Sequence, residues 1–179
     1  NGYNADSLKD DIALIEIDKA AADSIASYKL YRADDEVGQT TTRVGFGEAV
    51  VGSGESQTTT EPIKQVGLNT YDSTGESLGA SHSSEQLLYD FDNGTGANDA
   101  LGLLAGVSHT GLGLNEVGSS RGDSGSPTFI GDRIAGVVSF GATAQSDIND
   151  DLDSSFGEYG GDTRISAYAG WIDSQVSES

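Results

Sequence analysis

One stretch of this chain carries the residue types that nucleophilic catalysis needs: Gly122-Asp123-Ser124-Gly125-Ser126-Pro127. A serine hydroxyl attacks a carbonyl carbon only when a base takes its proton and donors stabilise the oxyanion that forms. Glycines on both sides of Ser124 permit a tight turn that exposes the hydroxyl, and they let backbone N–H groups converge on one point. Gly, Asp and Ser are also ordinary turn residues, so the motif by itself reads as well as a surface turn. Its surroundings add weight to the chemical reading. Pro127 to Ile130 and Ile134 to Phe140 bracket a Gly131-Asp132 turn, which is the pattern of a β-hairpin.

The elements that must hold such a turn are short and mostly β. Ile12 to Ile17 is an apolar, β-branched run that reads as a buried strand. Tyr28 to Tyr31 alternates like an edge strand, and Ala20 to Ala26 reads as a connection. Thr41 to Val51 is β-rich, with Gly45 and Gly47 marking a bulge or a close backbone approach. Gly52 to Thr60 reads as an exposed hairpin tip. Ile63 to Tyr71 and Glu85 to Phe91 are further strands, and Asp90 to Asp99 is a polar loop. Asp147 to Gly161 reads as a long acidic loop, with strand resuming over Thr163 to Ile165. Tyr168, Ala169, Trp171, Ile172 and Val176 fall at helical spacing, so the chain ends in a helix with Ser166 as its N-cap. Many short strands and one terminal helix define an all-β barrel or sandwich.

The totals narrow the function classes. The 179 residues carry 9 basic and 29 acidic side chains, a net charge of −20. So acidic a surface repels nucleic acid and anionic lipid, which excludes both as partners, and it suits either a soluble exoprotein or a salty medium. There is no cysteine, so disulfides and thiolate metal sites are ruled out. There is no methionine either, so the chain as given is expected to begin downstream of a translation start. No apolar run is long enough to span a membrane.

The segment from Gly122 to Gly141 resembles the nucleophile loop and following hairpin of the trypsin/chymotrypsin-like serine proteases, with Ser126 standing where the family usually has glycine. Gly45-Phe46-Gly47 resembles the family's Gly-aromatic-Gly at the start of the second barrel. Gly160 to Ile165, with Trp171-Ile172 beyond, resembles its last strand and terminal helix. Asp11-Ile12-Ala13-Leu14-Ile15 resembles the strand that opens with the triad aspartate, whose role is to hold the imidazole tautomer. Asp10 is adjacent, but Asp11 directly precedes the apolar run.

The resemblance implies a chymotrypsin-like double β-barrel. Residues 1–33 would be the remainder of an incomplete first barrel and the inter-barrel connection, 34–165 the second barrel, and 166–179 the C-terminal helix. It implies a secreted endopeptidase, extracellular or periplasmic, acting on polypeptides through an acyl-enzyme at Ser124 and needing no cofactor. Asp11 and Ser124 would be catalytic, and the backbone N–H groups of Gly122 and Ser124 would form the oxyanion hole. Gly118, six residues before Ser124, matches the pocket floor. Its glycine argues against simple Lys/Arg selection, although Asp162 on the opposite pocket strand is a candidate negative charge. Ser139, Phe140 and Gly141 match the strand that pairs with substrate backbone, and Gly160 faces them across the pocket. Asp123 in this family often pairs with a new N-terminal amine, and Asn1 does not match the usual residue.

The expected histidine is missing. The template places it roughly 45 residues before the aspartate, and only ten residues precede Asp11, none of them His. His82 and His109 both follow Asp11, so the chain order makes them polar loop residues. Three explanations follow, in order: a separate N-terminal piece bearing the His stays docked non-covalently, the chain is a truncated product, or it is an inactive homologue that works as a protein-binding module. A calcium site is the one metal that the sequence raises. Asp147, Asn149, Asp151 and Glu158 sit at EF-hand-like offsets without the required glycine, and Asp90, Asp92, Asn98 and Asp99 form a less patterned oxygen-rich loop.

Overall fold

The computed structural model describes residues 3–57, 63–145, 147–149 and 151–177. The chain runs through β1 (Lys29–Leu30), β2 (Thr40–Gly45), β3 (Ala49–Val50), β4 (Ser56–Gln57), β5 (Gln65–Thr70), β6 (Ser73–Thr74) and β7 (Gln86–Phe91). It continues through α1 (Ala100–Ala105), β8 (Pro127–Ile130), β9 (Arg133–Ala142), β10 (Glu158–Arg164) and α2 (Ile165–Ser177), with 3-10 turns at Gly75–Leu78 and Gly113–Asn115. One sheet has the order β5-β2-β8-β9-β10-β7-β6, with β1 added in parallel against β9, and β3 and β4 form a separate hairpin. The sheet curls into a half-barrel. Its far strands are drawn together by the Asn69 side-chain amide of β5, which donates to the carbonyls of Asp90 in β7 and of Val117, both at 2.8 Å.

The inside of this curl is unusually polar. Tyr71, Leu87, Tyr89, Ile130 and Ala135 form an apolar cluster. Beside it Arg43 and Asp162 form a buried bidentate pair at 2.9 and 3.2 Å. Tyr71 donates its hydroxyl to the same carboxylate at 2.6 Å, and the Arg43 guanidinium lies 3.6 Å over the Tyr89 ring. A buried charge is tolerable only when paired and hydrogen-bonded, and this one is both. A second pair, Glu36 with Arg164, is reinforced by the Ser166 hydroxyl and pins the loop after β1 to the β10–α2 junction. The helix α2 buries Ile165, Tyr168, Ala169 and Ile172, spaced at i, i+3, i+4 and i+7, and this one stripe packs it on the barrel.

Several expectations change. Ile12 to Ile17 forms no strand. It runs as irregular, largely exposed chain, with Ile15 87% exposed, because none of the described strands pairs with it. The Thr41–Val51 run breaks at Phe46-Gly47-Glu48 into β2 and β3. The acidic loop is shorter than read, since β10 already begins at Glu158 and pairs with both β7 and β9. The helix α1 was not foreseen; it is a single short stretch capped by the Asp99 side chain, which accepts from the Gly102 N–H. Ser166 lies within α2, and its hydroxyl goes to Glu36. Thr58 to Thr60 of the proposed hairpin tip lie outside the described residues.

Candidate active site

The Ser124 turn is laced to β9. The Gly125 N–H donates to the Val138 carbonyl at 2.8 Å, and the Val138 N–H donates to the Ser126 carbonyl at 3.0 Å. Gly122 and Gly125 have φ of 100° and 82°, backbone that a side chain rarely adopts, and Ser124 between them is exposed. Asp123 points the other way. Its carboxylate accepts from the Gly47 N–H at 2.8 Å and the Ser120 N–H at 2.9 Å. A Cβ at Gly45 would overlap this carboxylate, and one at Gly47 would lie 2.6 Å from it. The close approach expected at Gly45-Phe46-Gly47 is therefore the seat of Asp123, and backbone amides take the place of an N-terminal amine. A cavity of about 290 Å³ lies on this inner side, lined among others by Val44, Val117, Asp123, Val138 and Phe156.

Asp11 lies against the same strand. Its Oδ2 accepts from the Ser139 hydroxyl at 2.6 Å, and its backbone carbonyl accepts from Thr163 Oγ1 at 2.8 Å. The β9–β10 register explains why Ser139 is free to do this. Phe140 pairs with Gly161 and Val138 with Asp162, so Ser139 is an extra, unpaired residue in a β-bulge. A bulge re-aims a side chain, and this one turns the Ser139 hydroxyl to Asp11 one residue from the strand position that holds the Ser124 turn. Asp10 goes elsewhere, accepting from the Tyr168 hydroxyl of α2 at 3.0 Å.

Gly118, Gly141 and Gly160 meet around a small cleft, together with Tyr89, Phe91, Ser119, Glu158 and Tyr159. The Tyr89 and Ser119 hydroxyls share a 2.5 Å hydrogen bond in its wall, and burial pushes the Tyr89 phenol up to about 12. A side chain at Gly160 would collide with the Tyr89 hydroxyl. Phe140 turns its ring to Gly161 and stacks edge-on to Tyr159. Asp162 does not line this cleft: it is 0% exposed and its carboxylate faces Arg43 in the barrel interior. The sequence did not single out Ser119 or Tyr89. Adjacency to Gly118 was a usable signal for Ser119, whereas nothing local pointed to Tyr89.

The acidic loop binds itself. Glu158 Oε1 accepts from the N–H groups of Asp153, Ser154 and Ser155, and Asp147 Oδ1 accepts from the Asn149 N–H and the Ser155 hydroxyl. Asn149 donates to Asp153, and Asp151 is exposed. Among the described residues, the acidic side chains that converge are instead Asp90, Asp92 and Glu116. His109 places Nδ1 2.8 Å from Asp72 Oδ1, and His82 sits in the turn closed by its N–H on the Gly79 carbonyl. Among the described residues neither imidazole hydrogen-bonds to Asp11 or Ser124.

Comparison with known proteins follows the same lines. The family model for trypsin matches residues 1–172. No curated protein matches the chain. Among solved structures the chain is similar to mouse neuropsin, a serine protease expressed in the limbic system of the brain, with a TM-score of 0.58 at 16% identity. That likeness covers 88% of this chain but 56% of neuropsin, so the chain spans a little over half the length of the structure it matches. At that identity the likeness speaks to fold, and the fold is chymotrypsin-like. With the family model extending over all but the last few residues, this chain belongs to the trypsin family of serine proteases.

Proposed function

We propose that the chain is the nucleophile-bearing part of a secreted serine endopeptidase that cleaves polypeptides through an acyl-enzyme at Ser124. The observation that carries this reading is the bulged Ser139. Its hydroxyl holds the Asp11 carboxylate at 2.6 Å, one residue beyond the strand position to which the Ser124 turn is bonded. Asp11 orients a histidine supplied by a polypeptide segment outside this chain, and that imidazole takes the Ser124 proton as the hydroxyl attacks the scissile carbonyl. The N–H groups of Gly122 and Ser124 receive the oxyanion. The imidazolium then protonates the leaving amine, and water, deprotonated by the same ring, releases the acyl group.

The cleft around Gly118, Gly141 and Gly160 takes the side chain that precedes the cut bond. Its polar lining of Ser119 and Tyr89, with Asp162 engaged by Arg43, favours a neutral side chain over Lys or Arg. The run Ile12 to Ile17 is the docking segment for the histidine-bearing piece, since it leaves Leu14, Ile15 and Ile17 exposed as one apolar stretch. No helix among the described residues is long and apolar enough to cross a membrane.

The test is to isolate the protein from its native source under non-denaturing conditions, record its intact mass, and treat it with an organophosphate. The expected result is a complex containing a second, histidine-bearing polypeptide, with the label on Ser124 and none on Ser124→Ala. A complex that contains that polypeptide yet takes no label overturns the catalytic reading. A second reading, a binding module without catalysis, is favoured by the placement of His82 and His109. It predicts peptide binding with no labelling in any preparation.

A further inference from the structure

The barrel also buries a group of carboxylates that, among the described residues, has no Lys or Arg partner; His109 lies beside it, with Nδ1 2.8 Å from the neighbouring Asp72. Asp90 lies in β7, Asp92 just follows it, and Glu116 is bridged to Leu68 of β5. They are 1%, 0% and 5% exposed, and one carboxylate oxygen from each lies within 4.8 Å of the others. Their hydrogen bonds come from the backbone. The Leu101 N–H donates to Asp90 Oδ2 at 2.9 Å, and the Gly94 N–H to Asp92 Oδ1 at 2.5 Å. Glu116 accepts from the N–H groups of Asp92 at 3.1 Å and Leu112 at 3.3 Å. The second oxygen of Asp92 is wholly buried and receives no hydrogen bond among the described residues. Among the described residues no Lys or Arg forms an ion pair with any of the three.

Leaving several buried acids uncompensated is costly, and a bound cation removes that cost.

We propose that Asp90, Asp92 and Glu116 bind a calcium ion. The donor set is all oxygen, which suits a hard cation. Calcium–oxygen distances of about 2.3–2.6 Å put oxygens on opposite sides of the ion about 4.6–5.2 Å apart. Oxygens within 4.8 Å of one another can reach one such ion, and a buried cage of protein oxygens favours calcium over magnesium, which keeps several of its waters. Asp92 Oδ2 gains the partner it lacks. Between Asp92 and Glu116 the chain makes a long excursion that includes α1, so one ion ties both ends of that excursion to β7. Val117 then leads directly into Gly118 and Ser119 of the cleft.

Calcium is titrated by calorimetry into the EDTA-stripped chain, and hydrogen exchange is recorded with and without the ion. One saturable site is expected, with a dissociation constant on the order of 10⁻⁴ M or tighter, and with amides of residues 92–116 protected. The Asp92→Asn/Glu116→Gln double variant should weaken calcium by at least about tenfold, and Asp147→Asn should not. The exchange map of the unaltered chain needs no variant, so misfolding of the double variant leaves the result readable. Absence of saturable calcium binding, protection confined to residues 147–158, or magnesium binding as tightly as calcium would each overturn the assignment.

Discussion

Two buried charged groups share the same curled sheet and are handled in opposite ways. Asp162 of β10 has an arginine, a tyrosine hydroxyl and an aromatic face around its partner, so its charge is balanced inside the protein. Asp90, Asp92 and Glu116 have backbone amides and one another. The contrast teaches that burial alone does not tell what a carboxylate is for. The first group balances its charge within the barrel interior, leaving Arg43 Nε as its one buried donor without a hydrogen bond among the described residues. The second has no Lys or Arg ion pair among the described residues, and the oxygen it leaves unserved there belongs to an acid.

Three substitutions sharpen or break that contrast. Arg43→Met should have the largest effect, a loss of about 3–5 kcal/mol in denaturant unfolding, because it strands Asp162 without a partner. A loss below about 1 kcal/mol would mean that Tyr71 and solvent suffice. Asp92→Asn should act with the opposite sign when calcium is absent. It removes a buried like charge and lets an amide donate to its acidic neighbours, a gain of roughly 1–2 kcal/mol that reverses on adding calcium. A loss in both conditions would erase the distinction between the two groups. Arg32→Ala serves as the surface reference. Arg32 and Asp173 make a bidentate pair with side chains 50% and 58% exposed, and its melting temperature should not move beyond measurement error.

What was legible in the sequence was whatever local order encodes. The Ser124 turn needed two flanking glycines. The β8–β9 hairpin needed Gly131-Asp132, and α2 needed its apolar stripe, so each was visible within a dozen residues. The run Ile12 to Ile17 looked like a strand by the same logic, but a strand also needs a neighbour, and composition cannot supply one. Long-range chemistry left no local trace. Arg43 finds Asp162 across 119 positions, Asp11 finds Ser139 across 128, and Glu116 reaches the Asp92 amide across 24. The bulge at Ser139 could not be foreseen either, because it exists only in the register between β9 and β10.

The seat of Asp123 reaches beyond energetics to the way this chain can change over generations. Gly45 and Gly47 do no chemistry and stand some 76 residues before the aspartate they accommodate. Yet a single methyl group at either would intrude on the carboxylate that sets the turn next to Ser124. Drift at these two positions should therefore be nearly as constrained as at Ser124 itself. A saturation library selected for Ser124 labelling would then return glycine there almost alone, while exposed neighbours such as Phe46 vary freely.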